Sequence, residues 1–262
     1  MTSQTEPHGP LLRPLESARD YAACVELQEG TWGRGFADRV PASLLMITQK
    51  VGGVAAGAFE PDGTLVGFVL GLTGPRHGRP AHWSHMLAVR ADRRDRGIGR
   101  QLKEYQRDLL LAMGVPTIYW TFDPLVARNA HLNLHHLGAS IEEYVPDFYG
   151  TGADSPVDRG IGTDRFVVRW DLGRETAGGG EGRQTALEDR RTRVEIPADI
   201  HELKARSPSE ALDWRMRTRR AFLDGLARGS RVVGFERGLE GHGGSYLLAP
   251  SLLPPLPPKR VT

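Results

Sequence analysis

"RRDRGIG", residues Arg93 to Gly99, places two glycines inside a knot of arginines, and its flanks decide how it is read. Upstream, "WSHMLAV" (Trp83 to Val89) is short, mostly apolar and free of Gly and Pro, which predicts a strand after the turn-rich "TGPRHGRP". Downstream, Ile98, Leu102, Tyr105, Leu109 and Ala112 recur at steps of three and four, the apolar stripe of a helix that Gly114 and Pro116 stop. The first N–H groups of such a helix lack internal partners and form an anion site aided by the helix dipole. Glycines let the chain turn tightly there, and Arg93, Arg94, Arg96 and Arg100 add positive charge suited to phosphate.

Two common phosphate loops do not fit. G-x-x-x-x-G-K-[ST] is absent, and the third glycine of a dinucleotide fingerprint falls on Leu102. Arg94-Asp95-Arg96-Gly97-Ile98-Gly99, between the strand "MLAV" and a helix, resembles the [Q/R]-x-x-G-x-[G/A] loop of the GNAT N-acetyltransferase superfamily. The remaining elements suit an α/β fold with a mixed sheet. "LLRPL" reads as a first strand and Asp20 to Gln28 as a first helix. "GGVAAGAFEPDGTLVGFVLGLTG" reads as a hairpin around the turn "PDG". "TIYWTF" is a strand, "LVARNAHLNLHHLGA" a helix closed by Gly138, and "SIEEYV" and "DRFVVRWDL" later strands. The resemblance spans about residues 11 to 172 and implies the GNAT acyl-CoA N-acyltransferase fold.

The expected organisation is a disordered N-terminus (1–10), a GNAT domain (11–172), a Gly-rich linker (173–191), a β-α-β-β extension packing on the first domain (192–250) and a Pro-rich tail (251–262). A chain of 262 residues, 39% hydrophobic and 25% charged, is ordinary for a globular enzyme. Its net charge of +2 gives no general pull toward nucleic acid, and no run is long enough to span a membrane. The N-terminus lacks the apolar core of a signal peptide, and one cysteine, Cys24, excludes an internal disulfide framework, so the cytoplasm is the expected address.

The resemblance also implies chemistry. Acyl transfer needs a polarised thioester carbonyl, a deprotonated amine and a proton for the leaving thiolate. Family members hold the pantetheine and thioester on backbone amides of the strand before the loop, here Met86, Leu87, Ala88 and Val89, with Arg94, Asp95, Arg96, Gly97, Ile98, Gly99 and Arg100 on the phosphates. Asn129 matches the helix asparagine that often touches the cofactor. The co-substrate is then acetyl-CoA or another acyl-CoA, with no metal. His85, just ahead of the thioester strand, suits a general base, the other reading being a histidine bonded to a carbonyl. Many members use a tyrosine as the acid four residues before the glycine ending the second cofactor helix. Counting back from Gly138 gives Leu134, which cannot donate, and leaves Asn133 as the nearest polar group.

His82, His85, His131, His135 and His136 raise a metal reading, with His131 and His135 one helical turn apart. The absence of H-E-x-x-H and of a nearby cysteine favours exposed helix histidines instead. In "SEALDWRMRTRRAFLDGLAR", winding at 100° per residue puts Leu212, Met216, Phe222, Leu223 and Leu226 on one face, with Arg215 and Arg219 in its middle. Each needs an anionic partner. That partner is either an internal carboxylate or a carboxylate of the acceptor or acyl group, with Asp164 and Arg165 in the same pocket. "SHMLAV", "LKEYQR", "YVPDFYG", "TDRF" and "WRMRTRRAF" resemble a GNAT branch with this extension, some of it linked to N-acylamino-acid racemases and N-succinylation.

The expected function is acyl transfer from CoA to a small-molecule amine such as an amino acid, without nucleic-acid or membrane partners, a homodimer being left open. A succinyl-CoA-dependent N-succinyltransferase and a non-catalytic acyl-CoA-binding module are the alternatives.

Overall fold

The computed structural model describes residues 9–150, 160–173, 191–239 and 243–250. Nearly all of the expected linker, the Pro-rich tail and most of the expected disordered N-terminus lie outside them. In chain order the elements are β1 (Leu11–Pro14), α1 (Ala18–Trp32), α2 (Ala42–Lys50), β2 (Val54–Phe59), β3 (Leu65–Arg76), β4 (Arg79–Val89) and α3 (Ile98–Ala112). Next are β5 (Thr117–Phe122), α4 (Ala127–Ala130) running into a π-helical turn (His131–His136), β6 (Ser140–Val145) and β7 (Arg165–Asp171). The last are β8 (Thr192–Ile196), α5 (Ile200–Arg206), α6 (Pro208–Ala227), β9 (Ser230–Arg237) and β10 (Gly244–Pro250). One mixed sheet has the strand order β1-β2-β3-β4-β5-β7-β6, and a second has the order β8-β10-β9. This is the α/β architecture expected of a GNAT fold.

Two compact units divide the chain between Trp120 and Thr121, with Asp171–Gly173 returning to the first. In the first unit β1 to β4 pair antiparallel in succession, and β4 pairs parallel with β5. Its core gathers Leu15, Tyr21, Cys24, Leu45, Phe59, Phe68 and Met86 under α1 and α2. A capping box starts α1 earlier than its apolar pattern suggests. Ser17 Oγ accepts from Asp20 N–H at 3.1 Å, and the Asp20 carboxylate accepts from Ser17 N–H at 3.2 Å. The β3–β4 hairpin is longer than expected, because only His77 and Gly78 (φ 52° and 74°) make the turn and Pro75 and Pro80 still pair. Helix α2 was not legible, having Pro41 at its N-cap and no side-chain cap.

The second unit carries the three-stranded sheet with α5 and α6. An aromatic cluster of Tyr144, Phe166, Phe222 and Tyr246, with ring centroids 4.8 to 5.4 Å apart, joins β6 and β7 to the C-terminal segment. Tyr246 also donates to the Pro124 carbonyl at 2.8 Å. Among the described residues no helix is long and apolar enough to cross a membrane.

Candidate acyl-CoA site

His85 occupies a bulge. Leu70 opposes Met86 and Gly71 opposes Ser84, so β4 has one residue more than β3, and that residue is His85. On its other side β4 pairs with β5 at His82–Ile118 and Trp83–Tyr119, and among the described residues the ladder stops there. Met86 to Val89 therefore keep pairing to β3 while their other edge carries no β5 ladder, which leaves backbone groups there, apart from the Val89 carbonyl, for an extended ligand. The His85 side chain is exposed. Desolvation lowers its pKa, with the Asp38 charge opposing, which favours the neutral ring.

The glycine loop follows. Asp95 and Gly97 both have left-handed backbone (φ 61° and 77°), which turns successive N–H groups inward. The first helical bond of α3 runs from Gln101 N–H to Gly97 C=O at 3.0 Å, and no side chain caps this end. The N–H groups of Ile98, Gly99 and Arg100 are therefore available to an anion. A methyl on Gly99 would lie at ordinary contact distance, 3.6 Å from Leu87 and 3.9 Å from Val89. Packing thus does not demand glycine at 99, and what its bareness adds is access to the amides of the first turn. The arginines divide their work. Arg93 bonds Glu60 at 2.8 Å, Arg100 bonds Glu104 at 2.8 Å, and Arg94 ties the loop to the Val89 carbonyl at 3.2 Å. Arg96 is exposed and makes no ion pair among the described residues.

Beneath this edge lies a buried polar chain that the sequence reading missed. Lys103 of α3, 4% exposed, donates to Ser84 Oγ at 2.7 Å and sits 4.1 Å from the Trp120 ring centroid, with no carboxylate partner among the described residues. Burial pushes its pKa down to about 7. His82, fully buried, bonds Thr73 Oγ1 at 2.8 Å and Gln106 Nε2 at 2.9 Å. Burial, then the Lys103 charge, lower it to about 3. Gly71 makes room, since a methyl there would overlap the His82 ring and the Trp83 carbonyl. A lysine three residues after Gly-bearing "IGR" gave no signal of burial, because it reads as a surface residue.

In the second unit Arg215, Arg219, Asp164 and Arg165 do come together, with two further acids. Arg215, 1% exposed, forks onto Asp123 at 2.9 and 2.5 Å and donates to the Ile161 carbonyl at 3.0 Å. Burial raises the Asp123 pKa, but Arg215 and Arg165 more than offset this and hold it low. Arg219 bonds Asp147 at 2.9 Å and Asp164, and Tyr144 O–H also bonds Asp164. Those hydrogen bonds raise the Arg219 pKa. The partners of both arginines are thus internal carboxylates. Arg165 donates to the Asp164 carbonyl at 3.0 Å and lies 5.2 Å from the Tyr149 ring.

The face expected for α6 is corrected. Ala211, Arg215, Thr218, Phe222 and Gly225 are buried, whereas Leu212, Met216 and Leu223 are exposed. The Asp123 fork draws Arg215 inward, and small residues either side of it allow close approach. At Gly225 a methyl would meet Leu248 at 2.5 Å.

Asn129 lies on α4, half-buried, and Asn133 is buried within the π turn. The i→i+5 bond from Leu137 N–H to Leu132 C=O, 3.0 Å, shows the wider winding. Counting back from Gly138 by α-helical steps therefore does not identify the face on which Leu134 or Asn133 stands.

Residues 21–138 match the model of the acetyltransferase (GNAT) family. Among solved structures the chain is similar to the ribosomal-protein-S18-alanine N-acetyltransferase from Escherichia coli. Identity is 18%, coverage is 64% of this chain and 97% of that one, and the TM-score is 0.48. It is likewise similar to the aminoglycoside 6'-N-acetyltransferase from Enterococcus faecium, at 19% identity, with 63% and 98% coverage and a TM-score of 0.47. No curated protein matches the sequence.

Proposed function

We propose that this chain, whose residues 21–138 match the model of the acetyltransferase (GNAT) family, moves an acyl group, acetyl in the simplest case, from CoA to the amine of a small molecule such as an amino acid. The observation that carries the reading is the uncapped start of α3, with left-handed Asp95 and Gly97 behind it and exposed Arg96 beside it. That arrangement suits a pyrophosphate. The free edge of Met86–Val89 beyond the His85 bulge supports pantetheine and thioester binding by backbone.

In the proposed reaction the amine nitrogen attacks the thioester carbonyl, a C–N bond forms, the C–S bond breaks and CoA leaves as thiolate. Neutral His85 takes the proton lost by the amine, and an edge amide of Met86–Val89 stabilises the oxyanion. Asn129 and Asn133 are assigned to hydrogen bonds with the cofactor and its leaving sulfur. Arg215 and Arg219 are engaged by Asp123, Asp147 and Asp164 and hold those acids in place, while Asp164 and Arg165 are the residues assigned to the acceptor. The test is CoA binding by calorimetry with Gly97→Glu, whose carboxylate would occupy the anion site. Loss of binding with an unchanged circular dichroism spectrum supports the assignment, and CoA affinity equal to wild type overturns it.

A further inference from the structure

Three histidines converge on the π turn. The ligating nitrogens of His131, His135 and His136 all lie within 4.8 Å of one another, and the ring centroids are 4.8, 4.7 and 5.3 Å apart. On an α-helix residues i and i+5 would point about 140° apart, so His136 would face away from His131. An i→i+5 winding advances only about 80° per residue, which brings i+4 and i+5 to either side of residue i. The winding of residues 131–136 thus turns an ordinary i, i+4 pair into a three-imidazole cluster, and such turns are frequent at functional sites.

We propose that His131, His135 and His136 form a site for a borderline divalent transition cation, Zn²⁺ being the probe, held by three imidazole nitrogens with a fourth position open to water or a small ligand. The site goes beyond acyl transfer and does not depend on it. Tetrahedral Zn²⁺ with Zn–N bonds of about 2.0–2.1 Å separates its ligand nitrogens by about 3.3 Å, so the nitrogens, already within 4.8 Å of one another, need only a small closure. His135 and His136 are exposed and free to rotate, while His131 is half-buried and provides the fixed post. Imidazole sets suit zinc, copper and nickel rather than magnesium or calcium. The positive charge of Arg237, close enough to act on His131, works against a cation.

Zn²⁺ titration of the full chain by calorimetry at pH 7.5, with Co²⁺ visible absorption alongside, tests the site. The expected result is one ion per chain, intense tetrahedral Co²⁺ bands, and affinity reduced at least about tenfold in each of His131→Gln, His135→Ala and His136→Ala, since even outer-shell losses reach that order. His136→Ala is decisive because an i, i+4 pair alone would survive it, and its exposed side chain leaves the fold unaffected. Absence of binding, or binding that His136→Ala leaves intact, overturns the proposal.

Discussion

Replacing Lys103 with methionine should flatten the pH dependence of stability above neutrality. Lys103 is buried beside Ser84 and Trp120 with no carboxylate partner among the described residues, and burial takes its pKa from 10.5 to about 7. Between those values the unfolded chain holds a proton that the folded chain has lost, so stability rises with pH across that window and is lowest below pH 7. The shift of 3.5 corresponds to a ceiling of about 5 kcal/mol at ~1.36 kcal/mol per pH unit, of which about 2 kcal/mol is recovered between pH 7 and 9. Above pH 9 the Cys24 thiol, pushed up to about 12, works in the opposite direction. Lys103→Met keeps the stem's length and removes the charge, but it leaves Ser84 without its donor at a cost of about 1–3 kcal/mol. The absolute stability of the variant is therefore less informative than its slope. Urea unfolding at pH 7, 8 and 9 reads that slope directly. Wild type should gain about 2 kcal/mol over the interval while Lys103→Met gains close to nothing. Equal slopes in the two proteins would refute the reasoning.

Further outcomes follow from the same geometry. His82, held at about 3, must charge when the chain unfolds in acid, so stability should fall as pH drops from 6.5 toward 3, and His82→Gln should lessen that fall in acid-unfolding curves. Gly71→Ala should lower stability by about 1–3 kcal/mol, read from urea midpoints, because the methyl meets the His82 ring and the Trp83 carbonyl. Asp123→Asn should cost about 3–5 kcal/mol in the same assay by leaving Arg215 buried and poorly paired. Arg219→Ala should cost less, since its guanidinium is partly exposed.

What could be read from the sequence was what local chemistry announces. Gly97, Gly99 and the stripe from Ile98 to Ala112 marked loop and helix together, and β5 and β6 fell on "TIYWTF" and "SIEEYV" as expected. The bulge at His85 was invisible, because an extra residue exists only relative to the register of β3. The facing of α6 was misread for a related reason. Its apolar residues suggested one face, but Arg215 is turned by Asp123, 92 positions away in the chain. The π turn likewise gave no local sign, and with it went both the count from Gly138 and the nearness of His136 to His131. Lys103 read as a surface lysine, and only the packing of α3 on Ser84 and Trp120 reveals it as buried.

The central claim is acyl transfer to an amine, and thiol release from acetyl-CoA and from succinyl-CoA with a panel of D- and L-amino acids, polyamines and aminoglycosides tests it most directly. The account predicts release from acetyl-CoA that requires one class of small amine and disappears in Gly97→Glu. Tight CoA binding without release under any amine would contradict it and leave a chain that binds acyl-CoA without transferring from it.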